Sequence, residues 1–165
     1  MIYVDSKSSF TRNYSYVHQV LRVYICSYIP IYLLAFGIGL YAVFFRPEVL
    51  ESETVDIGAY TIVAGFVLVG MVGPIVETMI LVLLGVVGNR VFKRRLYTAL
   101  FVGAAFSLMH GFFNVYWGVV QFWPFFFQGY LFAVRPTAKT AAVVAGAHMI
   151  NNILVVGLFW MAETN

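Results

Sequence analysis

Long apolar runs alternate with short polar or basic stretches along this chain. Residues 23–45, 57–88, 96–111, 116–134 and 140–161 are dominated by Ile, Leu, Val, Phe, Ala and Gly, and the connections between them are short. One bilayer crossing takes about 20 apolar residues to cover roughly 30 Å of hydrocarbon. The pattern therefore predicts an all-α fold, a polytopic integral membrane helical bundle of about five spans. Residues 1–22 mix polar, aromatic and basic side chains and read as an N-terminal interfacial arm, ahead of a transmembrane helical domain over residues 23–162. The first run is too long for a signal-peptide core and lacks a small-residue cleavage site, so it is expected to be retained. No internal repeat is visible.

The second run is too long for one crossing. Its 32 residues would extend about 48 Å as one helix. Gly70, Gly73 and Pro74 mark the expected interruption, so this span is predicted to be broken near Gly73–Pro74 after a tilted or re-entrant first half. Its second part would then start near Pro74 and carry Glu77 in its first turn, where the helix dipole favours a carboxylate. Pro47 is expected to end the first helix ahead of the acidic stretch 46–56. The third run is short for a crossing and is predicted to continue through Phe112 and Phe113, while Pro124 is expected to kink the fourth.

Composition sharpens the class. With 62% hydrophobic and 10% charged residues and a mean hydropathy of +0.88, the chain is not a soluble globule. Its formal charge of +3 comes from loop residues, and no basic cluster alternates with stacking aromatics, so no nucleic-acid partner is expected. With the N-terminus cytoplasmic, nine of the ten Lys and Arg residues fall on the inner side and only Arg46 faces out. That asymmetry favours an odd number of crossings. The one cysteine, Cys26, can form no intramolecular disulfide and reads as a small apolar membrane residue.

Four polar residues within the apolar runs stand out. Glu77 is the acidic residue placed well inside one, and an ionisable group in hydrocarbon is costly enough to be usually inward-facing and functional. Measured along ideal helices from the nearest inner loop, Glu77 lies about 18 Å deep, His110 about 22 Å, His148 about 14 Å and Asn152 about 20 Å. They share a level near the bilayer midplane and come from three different spans. His148 and Asn152 are four apart and share a helix face with Ala141 and Ala145, whereas Phe106 and His110 share one with Ala99 and Gly103. Other polar and aromatic groups read as structural. His18 belongs to the interfacial arm, and Asn114 and Asn151 are expected to satisfy neighbours. Gln121 and Gln128 could together line a groove, and Trp117, Phe122, Trp123 and Phe125 to Phe127 read as lipid-facing bulk.

Taken in order, Glu77 behind Pro74, the FxxxH of Phe106 to His110 and the HxxxN of His148 to Asn152 resemble the three motifs of the CAAX prenyl protease and bacteriocin-processing family of intramembrane endopeptidases. The resemblance covers residues 73–152. In that family the first motif is a double glutamate followed by an arginine; here Thr78 stands at the second glutamate and Val82 at the arginine, while the catalytic glutamate is kept as Glu77. The resemblance implies that Glu77 and His110 activate a water and that His148 and Asn152 stabilise the oxyanion. The substrate would be a peptide or protein, with or without an attached lipid, met among membrane lipids.

The chemistry is coherent on its own terms. Peptide hydrolysis needs a positioned general base and hydrogen-bond donors aimed at the developing oxyanion, and these four side chains can supply both. No cofactor is required in that reading. The metal-dependent alternative uses Glu77, His110 and His148 as three ligands of zinc with water in the fourth position. A non-enzymatic membrane protein, either an immunity or peptide-binding relative or a small transporter with a buried acid, is the remaining alternative. Transporters usually show paired repeats.

Overall fold

A computed structural model describes residues 15–45 and 62–163; the acidic stretch 46–56 and residues 1–14 of the arm lie outside the described residues. Within them the chain is helical throughout, in the order α1 (Tyr16–Phe45), α2 (Ile62–Val67), a π-helical turn (Leu68–Val72), α3 (Gly73–Phe92), α4 (Arg95–Gly111), α5 (Val115–Val134) and α6 (Ala138–Glu163). Among the described residues three stretches, Tyr16–Gly37, Ile62–Phe92 and Ala138–Met161, are long and apolar enough to cross a membrane. The fold is an all-α polytopic bundle, as the run pattern predicts. Residues 16–22, expected to belong to the arm, are the first two turns of α1.

Two expectations about the helices change. Within the described residues the second run is interrupted where expected, near Gly73–Pro74, but by a π turn and not by a re-entrant break: it passes from α2 to α3 through that turn, where the Gly73 N–H bonds the Leu68 carbonyl five residues back. Glu77 is then the fifth residue of α3, past the first turn, which holds no acidic group. Its place therefore owes nothing to free N–H groups at a helix start. In addition, α4 stops at Gly111 after 17 residues, about 25 Å, and does not run on through Phe113. Phe112 and Phe113 form a turn, and Asn114 caps α5 by accepting from the Trp117 N–H at 3.1 Å.

Small residues set how closely the helices meet. A Cβ on Gly103 would stand 2.9 Å from the Phe126 Cβ, and one on Gly118 would stand 2.5 Å from the Ser107 carbonyl oxygen, so α4 and α5 touch backbone to backbone. The Ser107 hydroxyl donates to the Gly118 carbonyl at 2.8 Å and closes the hairpin. On α3, Thr78, Leu81, Gly85 and Gly88 face inward, while Met79, Leu83 and Val87 face out. An outer surface this apolar suits lipid, not water. The interior is a cluster of Leu81, Val102, Phe106, Phe125, Phe132 and Val144. A second cluster of Val20, Val23, Val143 and Ala147 joins α1 to α6.

Helix α6 runs antiparallel to the α2–α3 rod. The Cβ position of Gly65 meets Val156 at 3.5 Å and that of Gly70 meets Ile153 at 3.1 Å, and further along the same contact Glu77 meets His148. Prolines inside helices leave a carbonyl without its usual donor. In α1, Pro30 offers no N–H to the Cys26 carbonyl four residues back, and the Trp123 indole N–H from α5 donates to that carbonyl instead at 3.1 Å.

Candidate active site

The carboxylate of Glu77 meets two imidazoles, one on each oxygen. His110 Nε2 from α4 is 3.8 Å from Oε1, and His148 Nε2 from α6 is 3.3 Å from Oε2. Three helices thus deliver the three groups to one point, as their similar depths predict. The Glu77 side chain is 25% exposed and that of His110 17%, whereas His148 is at 5%. A reactant could therefore reach the carboxylate from the His110 side, with His148 forming the floor.

Hydrogen bonding assigns the ring of His110. Its Nδ1 lies 2.9 Å from the Phe106 carbonyl oxygen, which can only accept, so Nδ1 carries the hydrogen and the Nε2 of a neutral ring is an acceptor. The FxxxH spacing is the reason this works, because residue 106 is one helical turn before residue 110. On His148 only Nε2 meets a partner; Nδ1 is buried without one. Buried polar atoms are normally paired, so this nitrogen is unusual.

Asn152 is bonded to other groups. Its amide nitrogen donates to the Val69 carbonyl at 2.9 Å, and its Oδ1 accepts from the Asn151 amide at 3.2 Å. Asn151 in turn accepts from the Tyr32 hydroxyl at 2.6 Å. The cause is in the π turn. The donor that would ordinarily serve the Val69 carbonyl is the Gly73 N–H, which bonds Leu68, and the next residue, Pro74, has no N–H. The carbonyl of Val69 is thereby left for a side chain, and α6 supplies Asn152. The structure brings Glu77, His110 and His148 together and puts Asn152 one turn along α6 as the clamp on the π turn.

Several neighbours were not legible as site residues. Phe125 is buried, not lipid-facing: its ring stacks on Phe106 at 3.7 Å with an interplanar angle of 3°. It also lies 5.7 Å from the His110 ring and 5.5 Å from that of His148. Gln121 and Gln128 are both buried and do not line an open groove. Gln128 donates to the Tyr28 hydroxyl at 3.0 Å, and the Tyr28 ring lies 6.1 Å from His148. The visible signal was the spacing of Tyr24, Tyr28 and Tyr32, four apart on one face of α1. Thr78 is buried with an unpartnered hydroxyl, and Val82 packs on the apolar cluster. Asn114 and Asn151 satisfy neighbours, as expected.

Among the described residues, no three His, Cys, Asp or Glu side chains are grouped so as to hold a metal ion. No match to this chain was found among known protein families, curated proteins or solved structures.

Proposed function

We propose that this protein is an intramembrane endopeptidase similar to the CAAX prenyl protease and bacteriocin-processing family, with Glu77 as general base. The observation that carries the reading is the convergence of two imidazoles from different helices on the two oxygens of one carboxylate. At 3.8 Å the His110 and Glu77 acceptors are too far apart for a direct hydrogen bond and well separated for one water to donate to both. Such a water is polarised from two sides. As its oxygen bonds to the scissile carbonyl carbon, its proton passes to Glu77. When the tetrahedral intermediate collapses, the C–N bond breaks and that proton goes to the leaving amine.

His148 holds the far carboxylate oxygen through its Nε2, which leaves Asn152, whose amide has one hydrogen beyond the bond to Val69, as the donor to the oxyanion from the pair that the resemblance implies. The substrate is a peptide or protein segment, with or without a lipid. The chain crosses the membrane five times with the N-terminus cytoplasmic, and Phe112 and Phe113 extend the apolar reach of α4. The metal-dependent form of the same reading would use Glu77, His110 and His148 as zinc ligands, but as they stand these three side chains are not grouped to hold a metal ion.

The test offers purified protein a library of internally quenched peptides in detergent. Glu77→Gln keeps shape and removes the base, so cleavage should fall by at least about 10²-fold while the protein stays folded. Activity lost with a chelator and restored by zinc would favour the metal form. Departure from the family at Thr78 and Val82, together with Asn152 being tied to Val69, favours a second reading, a peptide-binding relative without catalysis. Wild-type protein that cleaves nothing yet binds peptide as well as Glu77→Gln does would establish it.

A further inference from the structure

We propose that Tyr28 is a further catalytic residue, whose hydroxyl, oriented by Gln128, donates a hydrogen bond to the oxyanion of the tetrahedral intermediate. The inference rests on the endopeptidase reading. Tyr28 reaches the site from α1, a helix outside the stretch of chain that carries the family-like motifs. It is 2% exposed, and its partner Gln128 is fully buried. In the bond between them the Gln128 amide donates and the Tyr28 oxygen accepts, at 3.0 Å. The phenol's own hydrogen is not used in that contact.

Tyr32, one turn along, differs in this respect: its hydrogen is committed to Asn151 at 2.6 Å. Asn152, the other candidate donor, is committed in part to Val69. Tyr28 is also adjacent to the reacting groups, with its ring 6.1 Å from that of His148. Gln128 Oε1, on the same amide, is buried without a partner. A hydrogen-bond donor fixed in a desolvated site before any charge develops is what oxyanion stabilisation requires. In the step itself the carbonyl π electrons move onto oxygen as the water oxygen bonds to carbon. Tyr28 donates to that oxygen and keeps its proton.

The experiment separates this role from packing. Full-length protein is assayed on the internally quenched peptide library as wild type, Tyr28→Phe, and the double variant Tyr28→Phe with Gln128→Leu. Tyr28→Phe keeps the ring but strands the Gln128 amide, so both kcat and Tm should fall, kcat by about 10²- to 10³-fold and KM by less than about twofold. Replacing both partners of a buried hydrogen bond with apolar groups is close to neutral for stability. The double variant should therefore regain Tm without regaining kcat. If it regains both, or if Tyr28→Phe keeps the wild-type kcat, Tyr28 only packs and the proposal falls. A wild type that cleaves nothing overturns the endopeptidase reading itself, and this proposal with it.

Discussion

His148 Nε2 stands 3.3 Å from Glu77 Oε2, across an antiparallel contact in which α6 also reaches Val69 of the π turn through Asn152. The two contacts are one helical turn apart on α6 and eight residues apart on the opposing rod. They fix the rotation of α6 against α3 from two points, and the Glu77 carboxylate is turned inward between α4 and α6 as a result. Seating a carboxylate here is costly in hydrocarbon, and the contact with His148 Nε2 offsets part of that cost.

Proximity of this kind can be trapped. Cysteines placed at positions 77 and 148, or at 77 and 110, in a Cys26→Ala background should be joined by a short bifunctional thiol reagent. A pair at 79 and 148 should not, because Met79 faces outward. Equal yields for all three pairs would contradict the site geometry.

The clamp on the π turn makes a prediction about stability. Asn152→Ala leaves the Val69 carbonyl without a donor and should destabilise the protein by about 1–3 kcal/mol. Pro74→Ala restores a backbone N–H next to that carbonyl. In a double-mutant cycle the two changes should therefore couple, with the pair less damaging than the sum. Additive effects in unfolding measurements would show that Pro74 is not why Val69 needs Asn152.

Close approach of α4 and α5 carries His110 into place. A Cβ at Gly118 would fall 2.5 Å from the Ser107 carbonyl oxygen and 2.6 Å from the Gly111 Cα, both backbone atoms with little room to shift. Gly118→Val should cost about 1–3 kcal/mol through overpacking and push the last turn of α4 away from Glu77. Lower Tm and weaker trapping of the 77 to 110 pair are the expected readings, with the 77 to 148 pair nearly unchanged.

Topology is open to labelling. With five crossings, single cysteines replacing Lys93 and Thr137 should react with an impermeant reagent from the same side, and one replacing Ser52 from the other. Labelling of Ser52→Cys and Thr137→Cys from one side would exclude the five-span arrangement.

Much of this was readable from the residues in order. Apolar runs of bilayer length require helices, because lipid offers no partner for backbone N–H and C=O groups. For the same reason Glu77, His110 and His148, set at similar depths, had to be near one another: each is too costly to leave alone in hydrocarbon. Helical spacing also put Phe106 where its carbonyl could take the His110 Nδ1 hydrogen. Periodicity tells which residues share a face, however, and not which neighbour that face meets. The π turn depends on five-residue backbone bonding that no side-chain pattern displays, and one extra residue in a helix rotates everything beyond it by about 100°. Only the tertiary structure, therefore, decided that Asn152 serves Val69 and that Phe125 lies inside against both imidazoles. Likewise, Tyr28 and Gln128, a hundred residues apart, meet only because the tertiary fold lays α1 against α5.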